Sequence, residues 1–240
     1  MSARNMSINS ALIFGAGFGT RMGEITKITP KPMLPILNKP LIDYAIDITL
    51  DANIQNIIVN LHYLPEQIEN HLSNFKNIKT IHEYPKILET GGGLKNAIPI
   101  LGPSPVITLN SDVIWIGYNP IKSLLKSWKP QKMDALLMLI PIERAIGYKG
   151  LGDFYLDRDK HLIRRDNKSN APYVYTGVQI IKTELLSAIN KESFSINVLW
   201  NKIINQRNAY GIMYDGSWID VGHPEGIDIA TKELLVNRNV

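Results

Sequence analysis

The first half of the chain alternates short apolar runs with amphipathic helical patterns, and this rhythm constrains the fold more than any other feature. Apolar runs predict four β-strands, at residues 11–14, 56–60, 77–83 and 106–109. Helical spacing separates them, after Pro40, after Pro65 and after the triple glycine at 91–93. Such a series predicts a parallel sheet covered by helices on both faces, with ligands bound beyond the carboxyl ends of its strands.

The second half of the chain has a different, mixed pattern. Strands are predicted at 133–140, 173–181, 209–214 and 218–221, with a hairpin that pairs 152–157 with 161–165. Helices are predicted at 183–189, at 196–207 and after Pro224. We expect one α/β domain over 10–240, preceded by a flexible tail at 1–9. Its first half would span about 10–115 and its second half about 116–240, where a small substrate-binding β elaboration extends the same mixed, mostly parallel sheet.

Composition excludes several classes of function. The 240 residues include no cysteine, which excludes a disulfide framework, a thiol nucleophile and a thiolate metal site. The 26 basic and 22 acidic residues are interspersed without a long basic run, so we expect no nucleic-acid partner. No apolar stretch approaches the roughly 18 residues that a membrane helix needs, and the first ten residues lack an apolar signal core. We therefore expect a cytoplasmic protein with no membrane partner.

A glycine-rich loop follows the first predicted strand and points to a polyphosphate ligand. Its glycines allow backbone N–H groups to approach an anion closely, and two cations, Arg21 and Lys31, follow. A dinucleotide fingerprint would place glycine where Thr20 stands, and an acid at the end of the second strand, where Asn60 stands. A Walker loop would need Gly-Lys-Ser/Thr, which is absent here. The loop therefore predicts a nucleoside triphosphate site of another type.

Two aspartates complement this loop. Asp112 follows the fourth predicted strand, and Asp220 stands among apolar residues, where an unneutralised carboxylate is costly. Two carboxylates, phosphate oxygens and water are a typical Mg²⁺ ligand set, so we predict one Mg²⁺ bound by this pair. The histidines lack zinc-ligand spacing. Neither His223 nor Phe18 of the glycine loop is assigned a role.

Several strings, in order along the chain, resemble the motifs of the sugar-1-phosphate nucleotidyltransferases. They are Gly15-Ala16-Gly17-Phe18-Gly19-Thr20-Arg21-Met22, Pro30-Lys31-Pro32-Met33, Leu88-Glu89-Thr90-Gly91-Gly92-Gly93, Asn110-Ser111-Asp112, Gly152-Asp153-Phe154, Tyr175-Thr176-Gly177 and Trp218-Ile219-Asp220-Val221-Gly222. Gly15 replaces the alanine usual in that family. The E-T-G-G-G string and the length look closest to the bacterial branch that transfers a uridylyl group to N-acetylmuramate α-1-phosphate in peptidoglycan recycling.

The resemblance implies a Rossmann-like domain with a nucleotide-binding half at about 10–115 and a sugar-phosphate-binding half at about 116–240. It also implies roles for individual residues. Catalysis would involve Arg21, Lys31 and Asp112, with Mg²⁺ on Asp112 and Asp220. The nucleotide would be bound by the loop and by residues near the base, namely Ala16, Gly17, Gly19, Thr20, Arg21, Lys31, Glu83 and Gly92. The sugar phosphate would be bound by Asn110, Asp153, Lys168, Thr176 and Gly177, of which Lys168 lies in a poorly matched motif.

The implied reaction is an in-line attack of a sugar 1-phosphate on the α-phosphorus of UTP, with release of pyrophosphate. Alternatives within the family are guanylyl, thymidylyl or cytidylyl transfer to mannose, glucose or heptose 1-phosphate. An alternative of another class is a regulatory subunit that binds a nucleotide without catalysis. We expect a monomer or a weak dimer.

Overall fold

The computed structural model describes residues 8–166 and 170–237. These residues form fourteen strands: β1 Ser10–Phe14, β2 Pro35–Ile36, β3 Lys39–Pro40, β4 Asn56–Leu61, β5 Ile78–His82, β6 Val106–Asn110, β7 Val113–Ile116, β8 Ala135–Pro141, β9 Ala145–Ile146, β10 Phe154–Leu156, β11 Leu162–Arg164, β12 Tyr173–Ile181, β13 Ala209–Met213 and β14 Ser217–Asp220. The α-helices are α1 Leu41–Asp51, α2 Pro65–Leu72, α3 Glu89–Leu101, α4 Pro120–Ser127, α5 Asn197–Asn205 and α6 Glu225–Asn237.

The four strands predicted in the first half form a parallel sheet, as expected. Strand β1 pairs in parallel with both β4 and β6, and β4 pairs in parallel with β5. Their carboxyl ends therefore lie at one edge of the sheet, in the order β6, β1, β4, β5. The predicted mixed, mostly parallel α/β sheet is confirmed.

The second half extends this sheet on the side of β6. Strand β12 pairs antiparallel with β6, and β8 and the β10–β11 hairpin pair with β12. Because β12 runs against β6 with Val178 opposite Leu109, the residues of β12 before Gly177 extend beyond the carboxyl end of β6. The predicted hairpin is confirmed, and it is held past the same edge at which the parallel strands end.

Two apolar cores cover the two faces of the sheet. Alternate residues of β1 point to opposite faces, so that Ile13 packs with helices α1, α2 and α4 while Leu12 packs with α3 and α5. Both side chains are fully buried. Burial on both faces explains why this strand reads as an uninterrupted apolar run in the sequence.

A third, smaller core lies under a separate sheet that the sequence patterns did not predict. Strand β7 follows β6 directly and pairs antiparallel with β14, which places Asp220 opposite Val113. The short strand β9 pairs with the other side of β14. Helix α4 and a 3-10 helix at Thr20–Lys27 were also not predicted. Among the described residues, no helix combines the length and apolar character needed to cross a membrane.

Candidate active site

A cavity of about 280 Å³ opens at the carboxyl edge of the parallel strands. The loops that follow β1, β5 and β6 and the carboxyl end of β4 all contribute to it, as the strand order predicts. Of the residues predicted to bind ligands, the cavity is lined by Ala16, Gly17, Gly19, Thr20, Arg21, Lys31, Glu83, Asn110 and Asp112. The fold therefore brings most of the predicted nucleotide-binding residues together around one space.

Two features shape the glycine loop after β1: its close contact with β4 and one residue with a left-handed backbone conformation. Gly19 has φ +65°, a conformation that favours glycine. A Cβ at Gly15 would lie 3.0 Å from the carbonyl oxygen of Asn60, so glycine at this position relieves a tight contact with β4. Gly17 differs, because a Cβ there would meet no atom within 4 Å. The loop thus packs against β4 at Gly15 and leaves its backbone open at Gly17.

Asn60 links the glycine loop to Glu83, and the sequence analysis did not identify this role. The side-chain Oδ1 of Asn60 accepts a hydrogen bond from the N–H of Gly15 (2.9 Å), and its Nδ2 donates to Oε1 of Glu83 (2.6 Å). The other carboxylate oxygen of Glu83 accepts from the N–H of Leu88 (2.6 Å). Burial raises the pKa of Glu83. Glu83 therefore joins the carboxyl end of β4 to the segment before α3 with hydrogen bonds that occupy both of its oxygens.

The position of Asn60 at the carboxyl end of a predicted strand is the signal that could have identified it. A polar side chain there lies at the ligand-binding edge of a parallel sheet.

The cation Lys31 and the carboxylate of Asp112 form a partly buried ion pair. Lys31 is only 7% exposed, and its Nζ lies 2.7 Å from Oδ2 of Asp112. Burial by itself would raise the pKa of Asp112, but the charge and hydrogen bond of Lys31, together with the charge of Arg21, hold this pKa below its ordinary value. Asp112 is therefore a fixed anion at neutral pH.

Asp220 stands beside this ion pair although it is far from Asp112 in the sequence. The pairing of β14 with β7 brings the two aspartates together, and the N–H of Val221 donates to the carbonyl of Asp112 (3.0 Å). Burial raises the pKa of Asp220, and the negative charge of Asp112 raises it further. A Cβ at Gly222 would lie 2.7 Å from Oδ1 of Asp220 and 3.1 Å from the guanidinium of Arg21. Glycine at 222 thus lets Arg21 and Asp220 approach each other.

Two carboxylates that repel each other in a partly buried site fit a divalent cation. Their oxygens are the hard ligands that Mg²⁺ prefers, and the cavity leaves room for phosphate oxygens and water. A bound cation would remove the repulsion that raises the pKa of Asp220. The donor set of this pair is therefore compatible with the metal that the sequence analysis predicted.

The triple glycine does not contact the cavity in the way the resemblance implied for Gly92. Helix α3 begins at Glu89, so all three glycines lie inside its first turns. The N–H groups of Gly91 and Gly92 both donate to the carbonyl of Phe194 (2.9 and 3.0 Å). A Cβ at Gly92 would overlap the carbonyl oxygen of Glu192. These glycines allow α3 to pack tightly against the 192–194 segment, and the cavity is lined instead by Glu89 and Thr90.

The residues predicted to bind the sugar phosphate have different surroundings. Asn110 lines the cavity, and Gly177, at φ +88°, packs directly against its side chain. Asp153 accepts a hydrogen bond from the N–H of Tyr175 (2.9 Å), and burial raises the pKa of its carboxyl group. Lys168 lies outside the described residues.

Thr176 departs from its predicted role. Its side chain is fully buried, and its hydroxyl donates to the carbonyl of Met138 (3.1 Å). Its own carbonyl accepts from Nε1 of Trp218 (2.8 Å). Thr176 therefore joins β12 to its neighbours inside the fold and does not face the cavity.

Phe18 of the glycine loop packs against aromatic side chains. Its ring centre lies 5.4 Å from that of His62 and 5.5 Å from that of Tyr63. The hydroxyl of Tyr63 donates in turn to the carbonyl of Thr26 (3.0 Å). These contacts attach the loop to the segment after β4.

A second group of potential metal ligands lies in the β10–β11 hairpin turn. Asp157, Asp159 and His161 offer ligand atoms within 4.8 Å of one another. The carboxylate of Asp157 accepts hydrogen bonds from the N–H groups of Asp159 and His161, both 2.9 Å. These hydrogen bonds stabilise the turn, so the cluster has a structural explanation.

Comparison with known proteins places this geometry in a family. A family model described as nucleotidyl transferase matches residues 10–236, and the chain belongs to that family. The recognition made from the motifs is confirmed. The chain is similar to the N-acetylmuramate alpha-1-phosphate uridylyltransferase of Caulobacter vibrioides, at 33% identity over 223 residues, which cover 90% of this chain and 92% of the relative.

Other relatives show that the similarity extends across the family. The corresponding uridylyltransferase of Neisseria meningitidis serogroup B is 31% identical, over 88% of this chain and 92% of the relative. Mannose-1-phosphate guanyltransferase 2 of Candida glabrata is 30% identical, over 89% of this chain but 61% of the relative. Among solved structures, HddC from Yersinia pseudotuberculosis in complex with GMP-PN superimposes with a TM-score of 0.75, over 95% of this chain and 100% of that chain. The sequence identity is 21%, so this similarity concerns the fold alone.

Proposed function

We propose that this protein transfers the uridylyl group of UTP to a sugar 1-phosphate, N-acetylmuramic acid α-1-phosphate in peptidoglycan recycling, and releases pyrophosphate. The observation that carries the proposal is the meeting of two cations, Arg21 and Lys31, with two carboxylates, Asp112 and Asp220, at an open glycine loop. The similarity to two uridylyltransferases that act on this sugar phosphate supports the choice of substrates.

The reaction needs no general base. A phosphate monoester is already anionic near neutral pH, so its oxygen can attack the α-phosphorus without losing a proton to the protein. The difficulty lies in bringing two anions together and in stabilising the charge that develops during transfer. Lys31 and Arg21 would supply positive charge at the triphosphate, and the backbone at Gly17 would approach it. Asn110 and Asp153 would orient the sugar phosphate.

Mg²⁺ would be held by Asp112 and Asp220. When bound, such an ion supplies charge neutralisation at the phosphates. The ion pair between Lys31 and Asp112 (2.7 Å) keeps both side chains ordered beside that position. Because UTP is a cytoplasmic metabolite, the proposed reaction would take place in the cytoplasm. Both halves of the single domain proposed here, 10–115 and 116–240, would contribute to the site.

Release of pyrophosphate tests this proposal. Purified protein with Mg²⁺ is given UTP, GTP, dTTP or CTP, each with N-acetylmuramic acid α-1-phosphate, mannose 1-phosphate, glucose 1-phosphate or a heptose 1-phosphate. We expect the highest kcat/KM with UTP and N-acetylmuramic acid α-1-phosphate. An Asp112→Asn variant with wild-type turnover at saturating Mg²⁺ would contradict the role given to that carboxylate.

A second candidate is guanylyl transfer to mannose 1-phosphate, favoured by the 30% identity to a mannose-1-phosphate guanyltransferase. The same assay decides between the two, because that activity would give the highest kcat/KM with GTP and mannose 1-phosphate. Binding of a nucleotide without pyrophosphate release from any pair would instead indicate a regulatory subunit.

A further inference from the structure

A second cavity, of about 180 Å³, lies beside Asp153 and beyond the same edge of the sheet as the candidate active site. It is lined by Tyr175 of β12, by Arg164 of β11, by Asn197 and Trp200 of α5, and by Arg165 and Asp166, which follow β11. Because Val178 lies opposite Leu109, Tyr175 stands past the point where β6 ends at Asn110. The cavity therefore lies where the sugar portion of an acceptor would extend if its phosphate met the α-phosphorus near Asp112.

Arg164 is held in this cavity by aromatic rings. It is the cross-strand neighbour of Phe154 in the β10–β11 hairpin. Its guanidinium carbon lies 5.1 Å from the ring centre of Phe154 and 5.9 Å from that of Trp200. Both rings are buried, and Arg164 itself is half-buried. Stacking of this kind fixes the plane of the guanidinium and directs its N–H groups outward from its edge.

The charge of Arg164 has no close partner within residues 8–166 and 170–237. No carboxylate of these residues lies within the 4.0 Å that defines an ion pair, and none of their atoms accepts a hydrogen bond from the guanidinium. Lys182 and Arg207 differ in this respect, since Lys182 contacts Asp134 (2.7 Å) and Arg207 contacts Asp157 (2.9 Å). Burial lowers the pKa of Arg164, which reflects the cost of keeping this charge out of water.

The two acids of this cavity, Asp153 and Asp166, do not form an ion pair with Arg164. One oxygen of Asp153 accepts the N–H of Tyr175, and both carboxylates influence Arg164 only at longer range. The guanidinium of Arg164 is half-buried and has N–H donors that are not used within the described residues. Such a group is suited to an anionic group of a ligand, because the planar guanidinium can bind a carboxylate with two parallel hydrogen bonds. Arg21 and Lys31 already stand at the other cavity, where the phosphates would bind. The anion that fits here is therefore a different group of the ligand.

We propose that Arg164 binds a carboxylate carried by the sugar of the acceptor and thereby selects an acidic sugar 1-phosphate over a neutral one. This inference rests on the proposed function, since it assigns the sugar end of the same acceptor. Asn197 and Asp153 provide polar groups for sugar hydroxyls on either side. N-acetylmuramic acid differs from N-acetylglucosamine by a lactyl ether that bears one carboxylate, so the two 1-phosphates form a matched pair of substrates.

The test compares Arg164→Gln with the wild type on these two sugar phosphates, with UTP and Mg²⁺. We expect kcat/KM for N-acetylmuramic acid α-1-phosphate to fall about 10- to 100-fold, mainly through KM, as for loss of charge-assisted hydrogen bonds. For N-acetylglucosamine 1-phosphate we expect a change within about threefold, because no carboxylate is lost. Arg158→Gln, at an exposed position in the same hairpin, is the matched control and is expected to behave as the wild type.

Several outcomes would overturn the inference. Equal losses of kcat/KM on both substrates would mean that Arg164 only supports the fold. An unchanged kcat/KM for both substrates would mean that Arg164 does not contact the acceptor. Arg164→Lys keeps the charge and provides a second variant if Arg164→Gln fails to fold; partial recovery of the preference is expected.

The proposed function and the inference fail in different ways. Wild-type protein that releases no pyrophosphate with any sugar phosphate would refute the proposed function. The inference about Arg164 can then be tested by binding alone. Calorimetry would measure the affinities of the wild type and of Arg164→Gln for the two sugar phosphates, and the inference expects a loss for the acidic sugar only. A wild-type enzyme that uses both sugars equally, with Arg164→Gln unchanged, would refute the inference alone.

Discussion

Among single residues, the candidate site depends on buried and partly buried acids and cations that are held by specific ion pairs and hydrogen bonds. Lys31 and Asp112 form one ion pair, and Glu83 is held by Asn60 and by the N–H of Leu88. Lys31 is recognisable in the sequence because prolines frame it beside a glycine loop. The role of Asn60 was not predicted, because its hydrogen bonds to Gly15 and Glu83 depend on which strands lie beside β4.

Replacing Lys31 with methionine removes the charge while keeping much of the apolar stem. We expect kcat/KM to fall about 10³-fold, which corresponds to about 4 kcal/mol of transition-state stabilisation. Pyrophosphate release under subsaturating substrates measures this loss. Lys27→Met is the control, since Lys27 is exposed and pairs only with Glu24 at the surface. Retention of more than about a tenth of the wild-type kcat/KM in Lys31→Met would argue against the assigned role.

Glu83→Gln tests how the buried carboxyl group affects stability with pH. Burial raises the pKa of Glu83 in the folded state, so the folded protein binds this proton more tightly than the unfolded chain does. The associated stability is present at low pH and is lost as pH rises through the raised pKa. We therefore expect the unfolding free energy of the wild type, relative to Glu83→Gln, to decrease as pH rises above the ordinary glutamate range. Urea unfolding at several pH values measures this difference, and parallel curves for the two proteins would contradict it.

At the scale of elements, helix α3 is positioned by its own glycines. Helical spacing predicted this helix, but its start at Glu89 was not predicted, because three consecutive glycines are poor helix formers. Tertiary contacts with the 192–194 segment outweigh that preference, since the carbonyl of Phe194 accepts from the N–H groups of Gly91 and Gly92. This packing holds Glu89 and Thr90 at the rim of the cavity.

Alanine at Gly92 separates packing from helix propensity. Propensity alone would favour alanine by about 1 kcal/mol, whereas a Cβ there overlaps the backbone of Glu192. We expect Gly92→Ala to lower the unfolding free energy by about 1–3 kcal/mol, as in other overpacked sites. Gly17→Ala provides the comparison, because a Cβ at Gly17 would meet no atom within 4 Å. We therefore expect this variant to keep its unfolding free energy while its affinity for the nucleotide falls. Denaturant titration and nucleotide binding measure the two effects. A Gly92→Ala protein more stable than the wild type would contradict this account.

At the scale of the whole molecule, the candidate site draws on both halves of the chain. Asp112 follows β6 in the first half, whereas Asp220 ends β14 in the second. A ligand that bridges them binds only the folded state, and it therefore stabilises the entire fold.

Thermal unfolding with UTP and Mg²⁺ tests this coupling. At about 100 times its Kd, the ligand should stabilise the protein by about 2.7 kcal/mol, which corresponds to a rise in Tm of roughly 5–10 °C for a chain of this size. Chelation of the metal with EDTA should abolish most of this increase in Tm, and the Asp220→Asn substitution should have the same effect. An equal rise in EDTA would contradict the assignment of Asp112 and Asp220 to the metal.

Local sequence patterns were sufficient to predict the parallel strands of the first half, the hairpin, the long strand at Tyr173–Ile181 and the cations of the glycine loop. These features depend on local periodicity and on residue type, both of which can be read from the sequence. Four other features emerged only from the folded structure: the pairing of β7 with β14, the capping of α3 by Phe194, the inward direction of Thr176 and the place of Arg164 in a second cavity. These features depend on which distant segments pack together, and packing is set by the shape and burial of the whole fold.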